Sequence, residues 1–116
     1  MGEKYVRTWT ISSSPESVNW DITITVKRKE KGIVSNWLFE NMRMGNKVKV
    51  LGVSGSFTLA SAHESRKLLM VAGGVGLTPM MSIVRYIAKH RLDYDVVVLH
   101  SVSVGKDRLF EEVRKK

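Results

Sequence analysis

Apolar and polar positions follow one rule in the first half of the chain and another in the second. From Tyr5 to Ile11 they alternate, with Arg7, Trp9 and Ile11 on one face and Val6, Thr8 and Thr10 on the other, which predicts a strand. Ser12-Ser13-Ser14-Pro15 predicts the turn that ends it. Trp20 to Arg28 is the cleanest alternation in the chain. Ile22, Ile24 and Val26 interleave with Thr23, Thr25 and Lys27, as a half-buried strand requires. After the charged stretch KRKEKG, the segment Gly32-Ile33-Val34-Ser35 leads into NWLFENMRM. Ser35 is suited to an N-cap and Gly45 to the position just past a helix end, so a short helix is predicted between them, its N-terminus a candidate phosphate seat. Asn46 to Val53 returns to strand character, and Gly52 and Gly55 bracket a turn before Ser56-Phe57. Strands predominate up to here, which predicts part of a small antiparallel β-barrel.

Ala60 to Ser65 is small and polar, a linker by composition. The rule then changes. Lys67 to Ala72 is a continuous apolar run of the kind buried in parallel sheets. Gly73, Gly74 and Gly76 follow, then Thr78-Pro79, then a helical pattern with Met80, Ile83, Val84 and Ile87 on one stripe and Arg85 and Lys89 off it. Pro79 suits the first helical position. DVVVLH, Asp95 to His100, predicts a second buried strand, and Asp107 to Lys116 a further helix with Leu109, Phe110 and Val113 inward. Strand, helix, strand, helix is a parallel α/β unit with a right-handed crossover. The fold class is thus a partial antiparallel β-barrel followed by a partial parallel α/β domain.

Composition narrows this picture. With 116 residues the chain is one ordinary domain or two incomplete ones, and 43% hydrophobic with 26% charged residues describes a globular protein. There is no cysteine, which excludes disulfides, thiolate nucleophiles and cysteine-held clusters or zinc. No apolar run reaches membrane-span length, and the charged opening MGEKYVR does not read as a signal peptide, so the cytoplasm is the expected compartment. The net charge of +8 favours anionic ligands, but its basic residues fall in small groups rather than a basic arm or recognition helix, so no nucleic-acid partner is expected.

The glycine cluster carries the clearest chemistry. A strand, a glycine turn and a helix N-terminus present free N–H groups to a phosphate, and glycine lets the ligand come close. It is not the ordinary dinucleotide fingerprint. Gly74-Val75-Gly76-Leu77-Thr78-Pro79 has proline where the third glycine belongs, and the second strand ends His100-Ser101-Val102-Ser103 without a ribose-binding carboxylate. Nor does a lysine follow as in a P-loop. His63, His90 and His100 lack ligand spacing; His90 is expected at a helix C-terminus, and His100 in a structural role. The methionines and Trp37 are expected in the core. A barrel-core position would by itself account for Trp9.

Together these segments resemble the ferredoxin–NADP reductase-like flavoproteins. Arg7-Thr8-Trp9-Thr10-Ile11-Ser12-Ser13-Ser14-Pro15 is similar to that family's flavin motif R-x-Y-[ST] followed by S-S-x-P. Thr25-Val26-Lys27-Arg28 with Gly32-Ile33-Val34-Ser35-Asn36-Trp37-Leu38 resembles the second flavin segment. Gly52-Val53-Ser54-Gly55-Ser56-Phe57 resembles the strand and turn that close the barrel, and Gly73-Gly74-Val75-Gly76-Leu77-Thr78-Pro79-Met80 the nicotinamide loop. The four motifs stand in the family's order.

The resemblance implies FAD and either NADH or NADPH as cofactors, with hydride passing from the nicotinamide to the flavin. It implies that Arg7 pairs with the FAD pyrophosphate, that Trp9 lies against the isoalloxazine and that Thr10 sits near flavin N5. Alternation points Thr10 the other way, so a twist or a backbone contact is needed there. Thr8, Thr25, Val26 and Lys27 belong to the implied flavin site, as does Gly32-Ile33-Val34-Ser35, whose backbone N–H groups would meet the pyrophosphate. Gly73, Gly74, Val75, Gly76 and Pro79 would line the nicotinamide site. Thr78 would lie where nicotinamide meets flavin, and with Trp9 and Thr10 it completes the implied catalytic set. No metal is implied.

Departures from the family pattern also carry expectations. Trp9 replaces the usual tyrosine, Ser103 stands about where many relatives have an arginine, and Lys106 and Arg108 could meet a 2′-phosphate. The family's earlier barrel strands and its later Cys-Gly segment have no counterpart here. The expectation is therefore a piece of a reductase: 1–62 the C-terminal part of a flavin barrel, 63–116 the N-terminal half of a nucleotide domain. Such a chain is either a fragment or is completed by another chain, and it would pass electrons to a redox partner protein or small acceptor. The rival expectation is a non-catalytic binding or interaction module that keeps the fold.

Overall fold

The computed structural model describes residues 4–15, 21–62 and 65–103. The predicted helix at 107–116, the cations Lys106 and Arg108, His63 and the start of the second predicted strand at Trp20 lie outside them. Within them the elements are α1 (Ile33–Asn41), a 3₁₀ turn (Leu59–Ala62), β1 (Lys67–Gly73), a second 3₁₀ turn (Gly74–Leu77), α2 (Thr78–Lys89) and β2 (Asp95–Ser101). No described helix is long and apolar enough to cross a membrane.

The α/β unit forms as its sequence pattern predicts. β1 and β2 pair in parallel, from Lys67 opposite Asp95 to Gly73 opposite Ser101. Leu68, Met70 and Ala72 on β1, with Val96 and Val98 on β2, turn toward α2. Leu77, Met80 and Met81 meet them, and Leu77 is fully buried. Met81 belongs to this core, although the stripe read from sequence omits it. The two strands are not buried on both faces as their apolar runs predict. Burial alternates along β1, and Leu69, Val71, Val97 and Leu99 are exposed on the side away from α2. Only one helix layer lies on the sheet among the described elements, so only one face is covered.

α2 ends in a Schellman motif. His90 is its C-cap, as expected, and the Leu92 N–H reaches the Ile87 carbonyl at 3.0 Å while the Arg91 N–H reaches that of Ala88 at 3.3 Å. Arg91 takes the left-handed conformation (φ +51°) that glycine usually fills there. Pro79 occupies the second helical position rather than the first, because Leu77 is the N-cap; the proline still costs no helix bond, since its N–H would be unpaired at either place.

The strand-patterned first half is held differently. Among the described residues its antiparallel pairing consists of one bridge between Ile11 and Ile24, supported by Ser12 N–H to the Thr23 carbonyl at 2.8 Å. The predicted strand at 46–53 makes no ladder, and Ile22, Ile24, Val48, Val50, Val53 and Phe57 are exposed. A strand needs a partner for its N–H and C=O groups and a second layer for its apolar face. Among the described residues these segments have little of either, and no closed barrel forms.

Four local expectations are corrected. α1 starts at Ile33 with Gly32 as N-cap, so Ser35 lies inside its first turn, where its buried hydroxyl accepts the Lys29 N–H at 3.0 Å. The helix stops at Asn41, and Gly45 (φ +92°) instead shapes the following turn. Trp37 is half exposed rather than a core residue. The 60–65 linker begins as the 3₁₀ turn Leu59–Ala62, held by the Ser61 hydroxyl donating to the Ser56 carbonyl at 2.6 Å.

Candidate functional site

The glycine cluster is not a slack loop. β1 runs without a break into the 3₁₀ turn Gly74–Leu77, and that turn into α2. Thr78 is buried and its hydroxyl donates to the Val75 carbonyl at 2.7 Å, locking the turn onto the helix. At the neighbouring strand end the His100 Nε2 lies 2.8 Å from the Gly74 carbonyl, so His100 props the turn from β2. That is the structural role expected of it. An open hollow of about 390 Å³ lies beside this end of the sheet, lined by Val71, Ala72, Val98, Leu99, His100 and Ser101. It sits at the carboxyl ends of two parallel strands, where open α/β sheets take their ligands.

The glycines themselves test whether a nucleotide fits. A Cβ added at Gly73, Gly74 or Gly76 would meet nothing within 4 Å. Gly74 (φ +53°) is glycine for its backbone angle. Gly73 (φ −108°) is ordinary extended backbone, and Gly76 has no positive φ. Neither packing nor conformation within the described chain asks for glycine at 73 or 76, and the missing side chains leave the backbone there open to close approach from outside. A phosphate or ribose seated against the turn fits that geometry.

Gly32 behaves in the opposite way. A Cβ there would stand 2.6 Å from the Ser35 hydroxyl and 3.0 Å from Lys29 Cβ, so its lack of a side chain is needed for packing. Asn36 tightens the same turn, its amide donating to the Lys29 carbonyl at 2.7 Å and to that of Gly32. Arg28 closes the outside, with Nε on Asn36 at 2.6 Å and Nη2 on Glu40 at 2.9 Å. The first turn of α1 has no side-chain cap, and Ile33 and Val34 provide backbone N–H groups there.

Of the other residues singled out by sequence, Arg7 is exposed and folded back, its Nη1 donating to the Val6 carbonyl at 2.8 Å and its guanidinium carbon 5.9 Å from the Tyr5 ring centre. Trp9 is half-buried; Thr8, Thr10 and Lys27 are exposed, Val26 is half-buried, and Pro79 lies half-buried beside Thr78. The Thr25 hydroxyl is turned inward and donates to Ser12 Oγ at 3.1 Å. An exposed cation next to a half-buried ring suits a pyrophosphate and a flat aromatic ring system.

Ser12 and Ser13 join the two halves, and sequence alone did not assign them that position. Ser12 is fully buried, with its N–H and its hydroxyl (3.2 Å) both directed to the Thr23 carbonyl. Thr23 N–H in turn donates to Ser13 Oγ at 3.0 Å. The carbonyls of both serines point at α2. Arg85 Nη1 donates to that of Ser12 at 2.7 Å, and Ser82 Oγ to that of Ser13 at 2.7 Å. The available signal was the polar series Thr78, Ser82, Arg85 at i, i+4 and i+7, a second stripe on the helix face opposite the apolar one.

Comparison with known proteins shows the family. Residues 1–59 match the family described as oxidoreductase FAD-binding domain, and 70–115 that described as oxidoreductase NAD-binding domain. The chain belongs to the ferredoxin reductase-like family of FAD- and NAD-binding oxidoreductases. It is 42% identical to a glycine betaine monooxygenase reductase subunit from Chromohalobacter salexigens over 94% of this chain and 29% of that protein. It is 37% identical to the NADH oxidoreductase HCR of Escherichia coli, over 92% of this chain and 33% of that protein. It thus spans about a third or less of these relatives. The fold is similar to that of the flavohem-like FAD/NAD binding domain of a nitric oxide dioxygenase from Vibrio cholerae, with a TM-score of 0.71 and 23% identity, covering 98% of this chain and 49% of that one.

Proposed function

We propose that this chain carries the flavin-facing and nicotinamide-facing segments of an NAD(P)H-dependent oxidoreductase. Its boundary lies near residue 62, with a flavin-barrel portion before it and the first half of a nucleotide domain after it. FAD and NAD(P)H, when bound, supply the hydride chemistry; the protein's part is to bind, orient and shield them. Arg7 swings off the Val6 carbonyl to pair with the pyrophosphate, and the N–H groups of Ile33, Val34 and Ser35 meet the same group, the Gly32 N–H being held by the Lys29 carbonyl at 2.9 Å. Trp9 provides a ring for the isoalloxazine, with Thr8, Thr10, Thr25, Val26 and Lys27 around it. Gly73, Gly74, Val75, Gly76 and Pro79 form the seat for the nicotinamide nucleotide. Thr78 contributes through the turn it locks, since its hydroxyl is held by the Val75 carbonyl.

The observation that carries this reading is the glycine pair at 73 and 76, open on the outside with no internal reason to be glycine. The reductase-subunit relative supports delivery of electrons to a separate acceptor, a protein or a small molecule. The test is direct: the purified protein is incubated with FAD, desalted, and mixed anaerobically with NADH or NADPH. Retained yellow colour that bleaches on mixing is the expected result. A folded protein that keeps no flavin would overturn it.

A further inference from the structure

We infer that Ser82 and Arg85 are positioning residues that hold the end of the flavin motif in register with the nicotinamide turn. This rests on the reading above of the two segments. Thr78, Ser82 and Arg85 lie at i, i+4 and i+7, so they share one face of α2 and span about 10 Å of its axis. The upper end of that face is the locked glycine turn; its lower end grips the Ser12–Ser13 carbonyls at 2.7 Å twice. Ser12 and Ser13 directly follow the strand that carries Arg7, Trp9 and Thr10. One rigid helix therefore touches both candidate cofactor segments, and the contact is to backbone, so it fixes the path of the chain rather than one side chain.

The grip is directional and costly to loosen. Ser12 is fully buried, and its N–H and hydroxyl are committed to Thr23, with Thr25 donating to that hydroxyl. If Arg85 lets go, the Ser12 carbonyl loses a charge-assisted partner in a part-buried setting. The turn can then shift against α2 while the strand pairing at Ile11 and Ile24 stays intact. A displacement of even an ångström between donor and acceptor rings is enough to slow a transfer that depends on near-contact geometry.

The test uses the FAD-loaded protein and two variants, Ser82→Ala and the double change Ser82→Ala with Arg85→Met. Flavin content, the rate of anaerobic flavin bleaching at saturating nicotinamide nucleotide, and amide hydrogen exchange are read in each. The double variant should keep its flavin and exchange the amides of 11–14 on the order of tenfold faster. Its bleaching rate should fall by about tenfold, with the half-saturating nucleotide concentration little changed. Ser82→Ala, which deletes one neutral hydrogen bond, should show the same pattern at smaller size, so the test survives if the double variant folds poorly. Unchanged exchange at 11–14, or faster exchange with an unchanged bleaching rate, would overturn the inference. A general loss of protection together with the flavin would also overturn it, since that marks a purely structural contact. If the parent protein holds no flavin, the functional reading has failed, and the exchange result alone judges the grip.

Discussion

Residues 65–103 and residues 4–62 are built on opposite principles. All of the buried apolar side chains (Met70, Ala72, Leu77, Met80, Met81 and Ile87) belong to the former among the described residues. The buried residues of the latter are two serines, Ser12 and Ser35, each held by hydrogen bonds. The α/β unit closes a core from neighbours in sequence, a strand, the helix that follows and the next strand. The first half relies on turns stitched by side chains, and its apolar residues lie largely on the surface. Local connection suffices for a βαβ unit, whereas a barrel needs partners distant in sequence.

The largest effect should come from opening the core of residues 65–103. Leu77→Ala removes a fully buried side chain at the meeting point of the turn, the helix and the sheet, and should destabilise by about 2–5 kcal/mol in denaturant titration. Equal loss from a comparable change in the first half would break the contrast between the regions.

Gly32→Ala probes that first half. The new Cβ would press on the Ser35 hydroxyl and Lys29, so a loss of about 1–3 kcal/mol is expected, confined to the turn and α1 and visible as faster amide exchange there. A smaller gain is available in the second region. Arg91→Gly relieves a left-handed backbone at the end of α2 and should stabilise by about 1 kcal/mol in thermal unfolding, because the Schellman bonds are backbone bonds and survive the change.

The two regions were also unequally legible in the sequence. β1, α2 and β2 could be read to within a residue or two, because periodicity and turn chemistry act over the same short range as the structure. The antiparallel segments were readable as alternation, but alternation does not say which strand pairs with which. Ile11 and Ile24 pair; residues 46–53 form no ladder. Side-chain capping misled at Ser35, where a typical N-cap residue instead serves a turn from inside the helix. Within the candidate site the glycine turn, Thr78 and Arg7 were legible as motifs. The Ser12–Ser13 junction was not, since backbone carbonyls leave no mark in a sequence and Arg85, off the apolar stripe, reads as a surface charge.

The two glycine sites make the sharpest contrast, because Gly32 is explained from within and Gly73 and Gly76 are not. Gly76→Val therefore tests the central claim most directly. The chain has open space at that position, so stability should be unchanged or higher by up to about 1 kcal/mol, as the unfolded chain loses freedom. Binding of the preferred nicotinamide nucleotide, measured by calorimetry on the flavin-loaded protein, should weaken at least tenfold, or about 1.4 kcal/mol. Undiminished nucleotide binding by a folded Gly76→Val protein would contradict the placement of the nicotinamide site on this turn.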